Sequence, residues 1–128
     1  MAKVSLEELK KAVAALKESV EYCEDNQSNI KVYKIARDAS IQRFEFCIEL
    51  SWKHAKKVMG SSSGTPKPVI REMLQNGMIG SFEMWFDFIE ARNKSSHTYD
   101  EEIAREVYNS AKSFCLEVDK LVDKMADL

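Results

Sequence analysis

Three side chains with complementary chemistry lie within eight residues of one another. Arg92 is a permanent cation, His97 follows five residues later, and Tyr99 comes two residues after that. A guanidinium group can bind two phosphate oxygens at once. An imidazole titrates near neutrality, so it can take a proton from a ribose 2′-hydroxyl or give one to the leaving 5′-oxygen. Together, Arg92 and His97 could therefore cleave RNA without a metal.

The spacing constrains the path of the chain between these residues. In a continuous helix, five residues would place Arg92 and His97 about 140° apart around the axis. The two side chains converge better if the helix ends within residues 93–96, a stretch made mostly of weak helix formers. Asn93 could then orient the imidazole or hold the backbone turn.

A purely structural interpretation of the same segment also stands. Arg92 could pair with Glu90 or Asp100, and His97 could cap a helix. Tyr99 could be a half-buried aromatic that packs on the rest of the protein.

A polar stripe in the second predicted helix could form one wall of the site. Five polar side chains recur there at steps of three and four: Asp38, Gln42, Glu45, Glu49 and Lys53. Glu49 and Lys53 are a favourable i,i+4 pair, worth about 0.2–0.5 kcal/mol. The stripe could be a solvated face without a role, or Glu49 and Lys53 could support the catalytic residues. Arg43 is a further candidate cation, whereas His54 is expected to be a surface residue.

The first half of the chain has the apolar spacing of amphipathic helices, with steps of three and four. The first predicted helix covers about residues 5–24, with Ser5 and Glu8 as a capping box. The second begins between Ile30 and Ala36 and ends near Met59. Exposed aromatic side chains that could form an interface are expected on the second and fourth helices: Phe46, Trp52, Trp85 and Phe86.

The second half adds one short helix and two longer ones. Pro68 opens the short helix, which ends at Gln75. The fourth helix begins near Ser81 and carries the chain into Arg92, and Asp100 caps the last helix. No strand pattern or internal repeat is visible. The sequence therefore predicts an all-α protein, an antiparallel four-helix up-and-down bundle with one extra short helix.

Composition sets limits on the function. The 128 residues are expected to form a single helical domain, 1–128, with a net charge of −2 from 19 basic and 21 acidic residues. RNA binding would therefore need a local patch rather than overall charge. No apolar run approaches the roughly 18 residues of a membrane span. The N-terminus does not resemble a signal peptide, so a cytoplasmic protein without membrane or DNA partners is expected.

The cysteines favour a reduced protein without a metal site. Cys23, Cys47 and Cys115 are odd in number, far apart, and placed on or beside apolar helix faces. Buried thiols are expected, because a zinc site needs closely spaced ligand pairs. No cofactor is expected. The chain also lacks a Gly-rich phosphate loop and a paired-Asp metal motif, so it is not itself a nucleotidyltransferase.

The motif and the second helix together resemble one superfamily. Arg92, His97 and Tyr99 match the Arg-x4-His-x-Tyr form of the Arg-x4–6-His motif of HEPN domains, and this form resembles HepT-type toxins. Residues 41–53 resemble the second-helix signature of the nucleotidyltransferase substrate-binding branch of that superfamily. Trp85 and the stretch that leads into Arg92 fit as well, so the resemblance covers about residues 5–125.

The resemblance implies a fold, an activity and a partner. HEPN domains are helical bundles that commonly form homodimers, with the Arg/His motifs of two protomers meeting across a cleft, and many are metal-independent endoribonucleases. HepT-type toxins of type VII pairs are silenced by an MntA-type nucleotidyltransferase, which transfers AMP onto the motif tyrosine. The acceptor here would be Tyr99. The alternative is a non-catalytic substrate-binding subunit of a nucleotidyltransferase complex.

Overall fold

The fold consists of five α-helices joined by short connections. The computed structural model describes residues 2–127, with side chains from residue 6 onward. The helices are α1 (Ala2–Asp25), α2 (Ile30–Met59), α3 (Pro66–Gln75), α4 (Phe82–Lys94) and α5 (Glu101–Ala126). A single 3₁₀ turn, Ser95–His97, joins α4 to α5. No strand occurs in this part of the chain, and the predicted all-α bundle with one extra short helix is confirmed.

Three helices begin with side-chain caps, and the cap at Asp100 was predicted from the sequence. The side chain of Asn29 accepts a hydrogen bond from the Val32 amide at the start of α2. Ser81 caps α4 in the same way, and Asp100 accepts from the first amides of α5. Gly60 ends α2 with a φ of 67°, a left-handed conformation that favours glycine.

Two predicted helix starts were wrong. Helix α1 begins at Ala2, so Ser5 lies inside the helix and is not at its start. The predicted capping box of Ser5 and Glu8 depends on the side chain of Ser5, which lies outside the described residues. Helix α3 begins at Pro66 rather than after Pro68, because a proline at the first helical position loses no intrahelical hydrogen bond.

An aromatic cluster forms the centre of the core between α2, α4 and α5. Phe114 contacts Phe44, Trp85 and Phe88 edge-to-face, with ring centroids 5.4, 5.6 and 5.4 Å apart. Trp52 and Trp85 are both buried. The expectation that these two tryptophans are exposed was therefore wrong, and their apolar bulk belongs to the core.

An ion pair between a buried arginine of α2 and an exposed glutamate fixes the start of α5 against α2. The Arg37 guanidinium, 5% exposed, donates two hydrogen bonds of 2.6 and 2.8 Å to the carboxylate oxygens of Glu101. This two-bond geometry specifies orientation as well as distance. Because Glu101 is the first residue of α5, the pair also locates the chain that immediately precedes it, which contains His97 and Tyr99.

Candidate functional site

The site is built around the turn between α4 and α5. Ser95, which is buried, donates both its backbone N–H and its hydroxyl to the carbonyl oxygen of Arg92, the hydroxyl contact being 2.6 Å. The Asp100 amide donates to the carbonyl oxygen of His97 at 3.1 Å. Helix α4 ends at Lys94, within the stretch where a helix end was predicted. The serine therefore closes the helix and turns the chain toward α5.

Arg92 lies against the polar stripe of α2. Its Nε is 2.8 Å from Oε1 of Glu49, whose other oxygen is 3.4 Å from Nζ of Lys53. The Nε–H of Arg92 is not aligned for a hydrogen bond, so the contact is an ion pair. The structural alternative had named Glu90 and Asp100 as partners of Arg92, and neither is. Glu90 instead pairs with Lys67 at 2.9 Å, and Asp100 caps α5.

His97 and Tyr99 form a second contact in the same segment. The Tyr99 hydroxyl is 3.2 Å from Nδ1 of His97, and the two rings meet edge-to-face with centroids 5.8 Å apart. Both side chains are exposed, Tyr99 to 85%. Tyr99 is therefore not packed on the bundle, and its hydroxyl is open to solvent. Asn93 is also exposed, but within the described chain it makes no hydrogen bond to the imidazole.

Other basic side chains near the site have partners of their own or are buried. Arg43 donates to the carbonyl oxygen of Ala15 at 2.7 Å, so it joins α2 to α1. Lys94 lies 3.6 Å from Glu106 of α5. His54 is 4% exposed, so the expectation of a surface histidine was wrong. Burial, followed by the charge of Lys57, lowers the pKa of His54, which favours its neutral form.

The positioning pair of Arg37 and Glu101 was missed by sequence reasoning. Hydrogen bonding to Arg37 lowers the pKa of Glu101 to about 2, so this carboxylate stays ionised at neutral pH. The two residues are 64 positions apart, and a lone arginine in an amphipathic helix gives no signal of a distant partner. The one signal in the sequence was the position of Arg37 on the apolar face of α2, near Ser40 and Ile41, which could have suggested that its side chain is buried.

The described helices place further bounds on the site. No helix in residues 2–127 is long and apolar enough to cross a membrane. Within the same residues, no group of three His, Cys, Asp or Glu side chains is arranged to hold a metal ion. That the site needs no metal stays a prediction.

The protein is an all-α bundle that presents an arginine, a histidine and a tyrosine where its fourth helix ends. These features define a class that comparison with known families identifies. Residues 4–127 match the family described as nucleotidyltransferase substrate binding protein like. The chain belongs to this HepT-like family, and the resemblance to HEPN domains and HepT-like proteins is confirmed.

Individual relatives agree with the family assignment. The chain is 34% identical over 94 residues to a Haemophilus influenzae protein named "Probable ribonuclease HepT", a match that covers 67% of this chain and 64% of that protein. A solved Haemophilus influenzae structure, described as the substrate binding domain of a nucleotidyltransferase, superposes with a TM-score of 0.84 at 29% identity. The superposition covers 94% of this chain and 98% of the Haemophilus influenzae chain. A Thermus thermophilus structure shares the fold at a TM-score of 0.77 and 24% identity, with 91% and 98% coverage.

Proposed function

We propose that this protein is a HepT-like endoribonuclease that cleaves RNA without a metal ion. The observation that carries the proposal is the position of Arg92 and His97 on either side of the Ser95 turn, with the imidazole exposed. The Arg92 side chain is 40% exposed and His97 is exposed, so a phosphate could reach each of them from solvent. The likeness to a relative named as a ribonuclease supports the same activity. The chain is further proposed to act as one domain and in the cytoplasm.

The proposed reaction is attack of a ribose 2′-hydroxyl on the adjacent phosphorus. Arg92 would hold the phosphate oxygens and offset the charge that develops on them. Glu49 and Lys53 would support Arg92, because the Glu49 carboxylate lies between the two cations. His97 would take the proton of the 2′-hydroxyl or protonate the leaving 5′-oxygen. The products would be a 2′,3′-cyclic phosphate and a free 5′-hydroxyl.

We further propose that the active form is a homodimer. One protomer has a net charge of −2, so its surface as a whole does not attract an RNA backbone, whereas two protomers could place both sets of Arg92 and Lys53 in one groove. Phe46, 61% exposed, lies one helical turn from Glu49 on α2 and would suit a contact between protomers. Ile35, 72% exposed, lies farther along the same face.

The proposed control is transfer of AMP to Tyr99 by an MntA-type nucleotidyltransferase. The exposed hydroxyl would be accessible to such an enzyme. An attached AMP would place bulk and negative charge beside His97, from which the hydroxyl is 3.2 Å away. Both effects oppose binding of an RNA phosphate at the same face. The protein would thus be the toxin of a type VII toxin–antitoxin pair.

A second candidate function is favoured by the family description itself. The chain could be a non-catalytic subunit that binds substrate for a nucleotidyltransferase, and the likeness to a structure described as a substrate binding domain of a nucleotidyltransferase supports this alternative. Expression in a bacterial host separates the two functions. The ribonuclease should arrest growth, and Arg92→Ala should relieve the arrest, whereas Arg43→Ala, which removes a cation bonded to α1, should not. Harmless expression of wild-type protein would support the binding subunit.

A further inference from the structure

The contact between His97 and Tyr99 has the geometry of a base and the nucleophile that it activates. The hydroxyl oxygen and Nδ1 are 3.2 Å apart, within the range over which an imidazole can accept a proton. When the phenol donates to Nδ1, the imidazole carries its own proton on Nε2. The same imidazole can therefore serve a second proton transfer, directed at the tyrosine rather than at RNA.

The backbone holds this pair in place through short-range contacts. The Asp100 amide donates to the His97 carbonyl at 3.1 Å, and the Asp100 side chain accepts from the amides of Glu102 and Ile103 at the start of α5. On the other side, buried Ser95 bonds to Arg92. The two side chains are thus presented from a closed turn and not from an open loop.

The other tyrosines lack a comparable neighbour. The chain has four tyrosines and two histidines. Tyr22 is 57% exposed, and its hydroxyl has no hydrogen-bond partner among the described residues. Tyr108 is buried, and its hydroxyl donates to a glutamate of α1. Tyr33 is half-buried and packs edge-to-face on Tyr108, with ring centroids 6.1 Å apart. The second histidine, His54, is itself buried on α2. Among these tyrosines, Tyr99 combines an accessible hydroxyl with an adjacent imidazole.

We infer that His97 is the general base that activates the Tyr99 hydroxyl toward transfer of a nucleotidyl group. The inference rests on the proposed function, because it assigns the catalytic histidine a second role in the control of the same site. The Tyr99 oxygen attacks the α-phosphorus of a nucleoside triphosphate, the bond from phosphorus to the bridging oxygen breaks, and pyrophosphate leaves. The phenolic proton passes to Nδ1 of His97 and then to water.

The product of this reaction changes the histidine as well. Once the Tyr99 oxygen is bonded to phosphorus, it has no proton to donate to His97. Modification would therefore remove the hydrogen bond that holds Nδ1, in addition to adding charge. The same imidazole would act first in RNA cleavage and then in nucleotidyl transfer to Tyr99, and this transfer would stop RNA cleavage.

The reactivity of Tyr99 can be tested with the purified chain alone. Adenosine 5′-phosphorimidazolide, a chemically activated AMP, transfers AMP to a nucleophile with loss of imidazole and needs no enzyme. Peptide mass spectrometry would measure AMP on Tyr99 and on Tyr22 in the same sample of wild type, His97→Gln and His97→Ala. Tyr99 should react at least about tenfold faster than Tyr22 in the wild type, and both variants should lose this advantage.

Internal controls keep the outcome unambiguous. Buried Tyr108 should stay unlabelled in every folded sample, and the ratio of Tyr99 to Tyr22 labelling cancels decay of the reagent. Equal labelling of Tyr99 and Tyr22 in the wild type, or an advantage that persists in both variants, would overturn the inference.

This result is separable from RNA cleavage. A wild-type protein that cleaves RNA but shows no dependence of Tyr99 labelling on His97 would contradict only the inference. A protein that labels Tyr99 as expected but leaves RNA intact would contradict only the ribonuclease.

Discussion

Replacing Glu49 with glutamine tests whether this carboxylate positions Arg92. Glu49 contacts Arg92 at 2.8 Å and Lys53 at 3.4 Å, and all three side chains are partly exposed. Exposed ion pairs contribute about 0.2–1 kcal/mol each, so the loss of both should lower the free energy of unfolding by less than about 2 kcal/mol. Urea unfolding should therefore find Glu49→Gln folded under assay conditions.

The expected effect on RNA cleavage is larger and has two opposite parts. Removing a negative charge beside Arg92 should strengthen phosphate binding by about 1 kcal/mol, which lowers KM roughly fivefold. A guanidinium that is no longer held should be misplaced in the transition state, and displacements of about 1 Å cost up to about 100-fold in rate. We expect kcat to fall at least about tenfold, measured with a fluorogenic RNA under steady-state conditions.

Glu90→Gln is the matched control for this substitution. Glu90 lies two residues before Arg92 on α4 and pairs with Lys67 at 2.9 Å. The substitution Glu90→Gln therefore removes one negative charge from α4 without removing a contact of Arg92. It should leave kcat close to the wild-type value. If Glu49→Gln matched Glu90→Gln in both kcat and KM, the positioning role of Glu49 would be refuted.

Three further predictions concern stability and accessibility. Arg37 lowers the pKa of Glu101 from 4.5 to about 2, so the ion pair stabilises the fold above pH 4.5 and this stabilisation is lost as the pH falls toward 2. In urea unfolding, Glu101→Gln should reduce the dependence of the free energy of unfolding on pH in this range. Phe114→Ala should cost about 3–5 kcal/mol, because three aromatic neighbours lose their shared partner; a urea midpoint equal to wild type would contradict this. Burial raises the pKa of Cys47 to about 12, so iodoacetamide should label this thiol only after unfolding.

Much of the fold could be predicted because it depends on local patterns. Apolar residues located the four longer helices, and a proline indicated the short one. The fourth helix begins beside Ser81, and Asp100 caps the last helix, as predicted. The end of α4 before His97 followed from the weak helix formers between residues 93 and 96. The exposure of Tyr99 was also consistent with its proposed role as an acceptor, although that role stays a prediction.

The remaining features depend on contacts that are distant in sequence. The polar stripe of α2 made Glu49 a candidate support for the catalytic residues, but no local pattern specifies that its partner is Arg92, 43 residues away. Arg37 and Glu101 pair only because α2 crosses the start of α5. His54 follows a lysine and precedes two more after Ala55, a pattern typical of a surface, yet its own position on α2 faces inward. Local pattern assigns a residue to a helix but does not specify which neighbour it meets.

The most direct test of the proposed ribonuclease is RNA cleavage by purified protein in EDTA, with the wild type beside His97→Ala. We expect the wild type to cleave RNA in EDTA and to leave 2′,3′-cyclic phosphate ends, and His97→Ala to be folded but inactive. Cleavage that persists in His97→Ala, or a folded wild type that cleaves none of several RNAs, would contradict the proposed ribonuclease.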